Sequence, residues 1–210
     1  MKKKKLKFTE KNKNKIKEII IIIIIFLIIF SLSLYSILKI INKKNLEYYH
    51  NISFFKKNYL DKIFYEGVFY DNFGEKFTYR FFNNPYTLEE IKINGKIELK
   101  KEVMIFADDV DKCENFYENA IGFSVFLQKV NNGSVEVRSI QGINFSNYDI
   151  NKTTIIYLRK VGILSKLKIE KIEEGYIIYI KNCEIEKSFE RFLLGAYLNK
   201  KDIILNNQIY

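Results

Sequence analysis

The chain predicts an α+β fold: a mainly antiparallel β domain with a covering C-terminal helix, anchored by one N-terminal transmembrane helix. Three observations carry this expectation. Ile19 to Leu38 contains no charged residue. After Gly67 the chain turns to short runs rich in Val, Ile, Phe, Tyr and Thr, separated by turn residues, which reads as strands. Ile185 to Leu198 places Ile185, Phe189, Phe192, Leu193, Ala196 and Tyr197 on one helical stripe, with Glu186, Lys187, Glu190 and Arg191 on the expected wet side.

Taken in order, residues 1–18 form a basic tail, with nine lysines and Glu10 in the first 17 positions. Residues 19–41 follow as a transmembrane signal anchor, because about 20 residues at roughly 1.5 Å rise match the hydrocarbon thickness of a bilayer. The apolar run exceeds the roughly 7 to 15 residues of a cleaved signal peptide's core, and Ser31 to Ser36 offers no A-x-A-like exit. The positive-inside rule then keeps the tail cytoplasmic and sends the C-terminal part across the plasma (inner) membrane. The tail holds most of the formal charge of +10, and beyond residue 44 basic and acidic residues balance. The charge therefore reports orientation, and no nucleic-acid partner is expected.

Residues 42–66 read as a juxtamembrane amphipathic helix. Tyr48, Ile52, Phe55, Tyr59 and Ile63 recur at spacings of three and four, which would make one apolar face for a partner or for the domain's own sheet. Residues 67–210 read as the extracytoplasmic β-rich domain. Gly67–Tyr70 and Lys76–Phe82 flank a turn at Asp71 to Gly74, and Ile91–Ile93 and Lys96–Phe106 flank Asn94-Gly95, the strongest short hairpin signal. Further strands are expected at Ile121–Val130, Ser134–Ile140, Thr153–Lys160, Lys166–Ile172 and Tyr176–Lys181, with a short helix at Asp109–Glu118.

Chemistry-bearing residues are sparse. His50 is the only histidine and lies near the membrane with no nucleophile context. Asp108, Asp109, Asp111 and Glu114 lack the glycine and the bidentate glutamate of a calcium loop, and fit the first turn of a helix. One His and two distant Cys make no zinc spacing. No catalytic residue, metal or cofactor is therefore expected, and the chain reads as a non-enzymatic binding or scaffold module of the cell envelope with a protein or lipid partner. Cys113 and Cys183, an even pair in the translocated part, are compatible with a disulfide or with two buried thiols.

The layout of basic tail, single helix and β-rich domain resembles that of LptC-type proteins, the single-pass bridge components of lipopolysaccharide export. Gly67 to Arg80 (GVFYDNFGEKFTYR) is similar to that family's opening hairpin, and Ile91 to Ile97 with Ala107 to Val110 is similar to its repeated strand pattern. The resemblance implies a β-jellyroll whose inward apolar residues, near Phe69, Phe81 and Ile105, would hold a lipid acyl chain without catalysis. A second resemblance, to pilin-like assembly proteins, rests on an apolar helix continuing into an amphipathic one. Phe8-Thr9-Glu10 lacks the preceding Gly and the position of their processing motif.

Overall fold

A computed structural model describes residues 19–36, 45–139, 149 and 151–207. The chain divides into two compact units after Leu46. The first contributes α1 (Ile19–Ser36), 18 residues of mean hydropathy 3.0 with no side chain buried. At about 27 Å it is long and apolar enough to cross a membrane. Its polar side chains turn inward on the helix itself: the Ser33 and Ser36 hydroxyls donate to the carbonyls of Phe30 and Leu32. The basic tail and residues 37–41 of the expected span lie outside the described residues.

The second unit opens with a four-stranded meander, β1 (Leu46–Tyr49), β2 (Ile52–Tyr59), β3 (Lys62–Tyr70) and β4 (Lys76–Phe81), in that spatial order. A 3-10 turn at Thr87–Glu90 leads to β5 (Lys92–Asn94), β6 (Glu102–Asp108), α2 (Phe116–Asn131), β7 (Ser134–Ser139), β8 (Thr153–Val161), β9 (Lys168–Lys171), β10 (Gly175–Lys181) and α3 (Ile185–Asn207). These six strands form a second sheet in the order β5-β9-β10-β8-β6-β7.

Both helices lie between the sheets. Phe69 of β3 meets Phe126 of α2 and Tyr197 of α3, each at 4.9 Å between ring centroids, while Tyr176 of β10 meets Phe192 of α3 at 5.4 Å. The helices touch through Phe123 and Phe189, stacked at 4.1 Å. The expected stripe of α3 is buried throughout, from Ile185 to Tyr197. Because a sheet covers each side, Ser188, Glu190 and Leu194 are buried as well. Glu190 was expected on the wet side, and the second covering sheet is what places it inside.

Four expectations need correction. Of the expected amphipathic helix at 42–66, residues 42–44 lie outside the described residues and the rest forms, from Leu46, the strands β1, β2 and the start of β3, so the compact unit begins near residue 47 rather than at 67. Two-residue turns at His50-Asn51 and Leu60-Asp61 join these strands, all four residues having φ between 45° and 61°. Such turns impose strand-turn-strand spacings that imitate helical ones, and they lack the Gly or Pro that would announce them. Secondly, Asn94-Gly95 does turn the chain, with Gly95 at φ 92°, but β5 does not pair with β6. Residues 96–101 form no strand; side chains satisfy their backbone instead. Tyr176 Oη contacts Glu98 N at 2.6 Å and Lys96 O at 3.1 Å, Asn199 Nδ2 donates to Ile97 O, and Thr154 Oγ1 accepts from Lys100 N.

Thirdly, the expected strand at 121–130 is the body of α2, where Phe116, Ala120, Phe123, Leu127 and Val130 face the core at helical spacing. The expected helix at Asp109–Glu118 is mostly the loop before it. Fourthly, the α+β class holds, but the antiparallel pairing expected to dominate is confined to the smaller sheet and one pair of the larger. β6 pairs with β7 and β8, β8 with β10, and β5 with β9 in parallel, leaving β9–β10 as the antiparallel pair of the larger sheet. An inner parallel strand is covered on both faces, and β6 accordingly buries Val103, Ile105 and Ala107 on one side and Met104 and Phe106 on the other. A mainly parallel sheet with helices packed on it is not the jellyroll that the lipopolysaccharide-export resemblance implies. Phe69, Phe81 and Ile105 are fully buried in a packed core and line no groove.

Cys113 and Cys183 are joined in a disulfide with a Cα separation of 5.6 Å. The bridge ties the loop entering α2 to the turn that leads into α3, and so holds the two helix N-terminal ends side by side.

Candidate functional site

Beside those stapled ends lies an open cleft of about 1020 Å³ between β4 and the first turns of α2 and α3. Thr78, Tyr79 and Arg80 of β4 form one wall; Glu118, Asn119 and Gly122 of α2 and Glu186 and Lys187 of α3 form the other. Tyr79 enters because Gly122 leaves room for it: a Cβ at that glycine would sit 3.3 Å from the Tyr79 hydroxyl. Asn119 Nδ2 donates to Glu186 Oε1 at 3.1 Å, linking the helices across the cleft floor. Charges of both signs line it, Lys62, Arg80 and Lys187 against Glu66, Glu118, Glu184 and Glu186. Hydrogen-bonding and charged side chains make up most of its lining.

Behind the cleft, Glu190 joins α3 to the small sheet. Its carboxylate accepts from Phe82 N at 2.5 Å, Asn83 N at 3.1 Å and Asn83 Nδ2 at 2.8 Å, capping the chain where it leaves β4. Burial pushes the carboxyl up to about 8, against the pull of these donors. Burial, with the Glu190 charge adding to it, also raises the Tyr79 phenol. With three donors on one carboxylate, Glu190 clamps α3 to the end of β4 behind the cleft.

The expected partner face does not form as one surface. Ile52 points into the core, while Tyr48, Phe55, Tyr59 and Ile63 are exposed. Alternation along β2 and β3 puts Phe55 and Tyr59 on the outer side of the sheet and Ile63, opposite Asn58, on the other. His50 sits exposed with Nε2 3.3 Å from Glu89 Oε1. In the acidic cluster, Asp109 is engaged by Lys112 at 2.6 Å, which holds its carboxyl below the usual range. The cleft was missed because its walls come from three segments far apart in sequence, and only the cysteine pair hinted that residues near 113 and 183 meet.

Compared with known proteins, the chain matches no family model, and no curated protein or solved structure is significantly similar to it.

Proposed function

We propose that the protein is a single-pass, membrane-anchored module of the cell envelope whose extracytoplasmic domain binds a protein partner in the cleft between β4 and the N-terminal ends of α2 and α3. The cleft carries this reading: it is large, of mixed charge, and built on a rigid frame in which a disulfide and the Glu190 clamp hold its walls. α1 supports the anchoring, and the lysine-rich tail supports an orientation with the N-terminus in the cytoplasm. A disulfide is in keeping with an oxidising compartment on the far side. The role we propose is that of a non-enzymatic scaffold, in keeping with the hydrogen-bonding and charged groups that the cleft offers for recognition.

Two measurements test it. A photo-crosslinker in place of Thr78, Glu118 or Lys187 should capture a protein in living cells; glycolipid adducts there would turn the reading toward a lipid carrier. In intact cells an impermeant maleimide should label a cysteine placed at Lys166 and leave one at Lys11 untouched, and the reverse pattern would overturn the orientation.

A further inference from the structure

Three exposed residues of the expected partner face, Phe55, Tyr59 and Ile63, belong to one continuous exposed stretch. Phe55 to Ile63 are nine consecutive exposed residues, although most of them belong to strands. The reason is register. The two-residue turn after β1 sets Tyr49 opposite Ile52 and hence Leu46 opposite Phe55, so β2 runs on past the start of β1. On the other side β4 ends at Phe81, opposite Tyr65, so β3 begins before its neighbour does. Among the described residues no strand flanks Lys56 to Phe64 on either edge, which makes this stretch a two-stranded arm. It projects from the end of the sheet at which the chain enters β1.

The tip chemistry is unusual for a solvated turn. Leu60 is 80% exposed, Tyr59 67% and Ile63 48%. Leu60 has φ 48°, a left-handed conformation that Gly or Asn adopts with less strain. Neither burial nor turn geometry accounts for a leucine there. Around it stand Lys56, Lys57 and Lys62 against Asp61, in a domain whose basic and acidic residues balance overall. Lys57 pairs with Glu66, whereas Lys56 and Lys62 have no ion pair among the described residues. Aromatic and aliphatic groups at a tip, ringed by lysines, match the interface of an anionic bilayer. There tyrosine sits at headgroup level, leucine reaches the acyl boundary and lysine stems extend back to the phosphates.

We propose that the β2–β3 arm is a membrane-contact element that inserts Tyr59, Leu60 and Ile63 into the headgroup region of an anionic bilayer. This rests on the anchoring reading given above. Nine peptide steps separate Ser36 from Asn45 and reach at most about 30 Å, so the arm is tethered at high local concentration to that bilayer. A weak contact then suffices. The tip is also small beside the roughly 800 Å² that each partner gives to a stable protein interface, which favours the bilayer over a folded partner.

The chain has no tryptophan, so a single introduced one reports cleanly. The full chain is reconstituted in nanodiscs with about a third anionic phosphatidylglycerol and acyl-brominated lipid as quencher. Three variants are compared: Tyr59→Trp in the arm, Leu164→Trp in the exposed β8–β9 loop, and Leu27→Trp in α1. The expected result is at least twofold quenching and a blue shift for Tyr59→Trp, weakened by high salt or uncharged lipid, strong quenching for Leu27→Trp, and none for Leu164→Trp. Quenching of Leu27→Trp alone overturns the arm's role and leaves the anchor standing. Loss of quenching at all three sites overturns the anchor and the arm with it. Equal quenching of Tyr59→Trp and Leu164→Trp would show that the domain has no preferred contact, which also overturns the proposal.

Discussion

The two sheets of the domain are held together by different means. In the four-stranded sheet each strand pairs with its neighbour in sequence, and the strands are joined by short turns, two of them made without glycine. In the six-stranded sheet β5 pairs with β9 and β6 with β8, partners some 50 or more residues apart, and the irregular segment 96–101 is pinned by side chains from β8, β10 and α3. Local pairing brings strands together at little loop-closure cost, whereas distant pairing needs a core to reward it. That core is the helix pair, which both sheets share, so the small sheet depends on its contact with α2 and α3 more than its simple topology suggests.

The sharpest way to break the contrast is Phe69→Ala. Phe69 is fully buried among Phe54, Phe77, Phe81, Phe126 and Tyr197, so its loss should cost about 5 kcal/mol. Urea unfolding followed by amide exchange should show protection lost first in β1 to β4; simultaneous loss in β8 and β10 would mean that the sheets unfold as one. Next comes the disulfide. Replacing both Cys113 and Cys183 by Ser should cost about 4 kcal/mol for a 70-residue separation. Its effect should fall on the helix ends and the cleft, measured as a lower urea midpoint and faster exchange at Asn115 to Asn119.

Much of the larger sheet was legible in the sequence: β8, β9, β10 and the β9–β10 turn stand where runs of Ile, Tyr and Thr end at Glu173-Glu174-Gly175. α3 was legible because six residues at helical spacing outweigh any other reading. The β3–β4 hairpin was also legible, its turn held by Asp71, whose Oδ1 accepts from Phe73 N and Glu75 N. Strands β1 and β2 were hidden by two turns without glycine, and α2 by Ile121, Val125 and Val130, whose β-branching favoured a strand until the burial of Phe123, Phe126 and Leu127 is known. Parallel pairing leaves no turn signal at all. The cleft was beyond reach for the same reason, since it depends on which distant segments meet.

The junction between the two sheets has a pH dependence of its own. Glu190 has a folded pKa raised to about 8 from an ordinary value near 4.5, so the folded state binds the extra proton in between. Stability is then greatest below about pH 4.5 as far as this group is concerned, and falls as pH rises toward 8, by about 1.4 kcal/mol per unit of difference at most. Glu190→Gln should flatten that slope between pH 5 and 8 in urea titrations; an unchanged slope would mean the carboxyl is ionised throughout. The smallest effect is expected at the arm. Leu60→Asn with Asp61→Gly gives the turn its preferred residues and should stabilise the fold by about 0.5 to 1 kcal/mol, read as a higher urea midpoint. A loss of stability would assign Leu60 a packing role.

The entry of the chain at Leu46 has a mechanical consequence. Any force transmitted along the polypeptide from the N-terminal side reaches the domain through β1, an edge strand of four residues. Among the described residues no strand ladder runs from the small sheet to the large one, so the load passes onward through ring contacts around Phe69 and through the Glu190 and Tyr197 hydrogen bonds. Tension would therefore peel the meander before it strained the six-stranded sheet. The small sheet acts as a compliant coupling, and the disulfide-framed cleft wall on the helices stays in place while it yields.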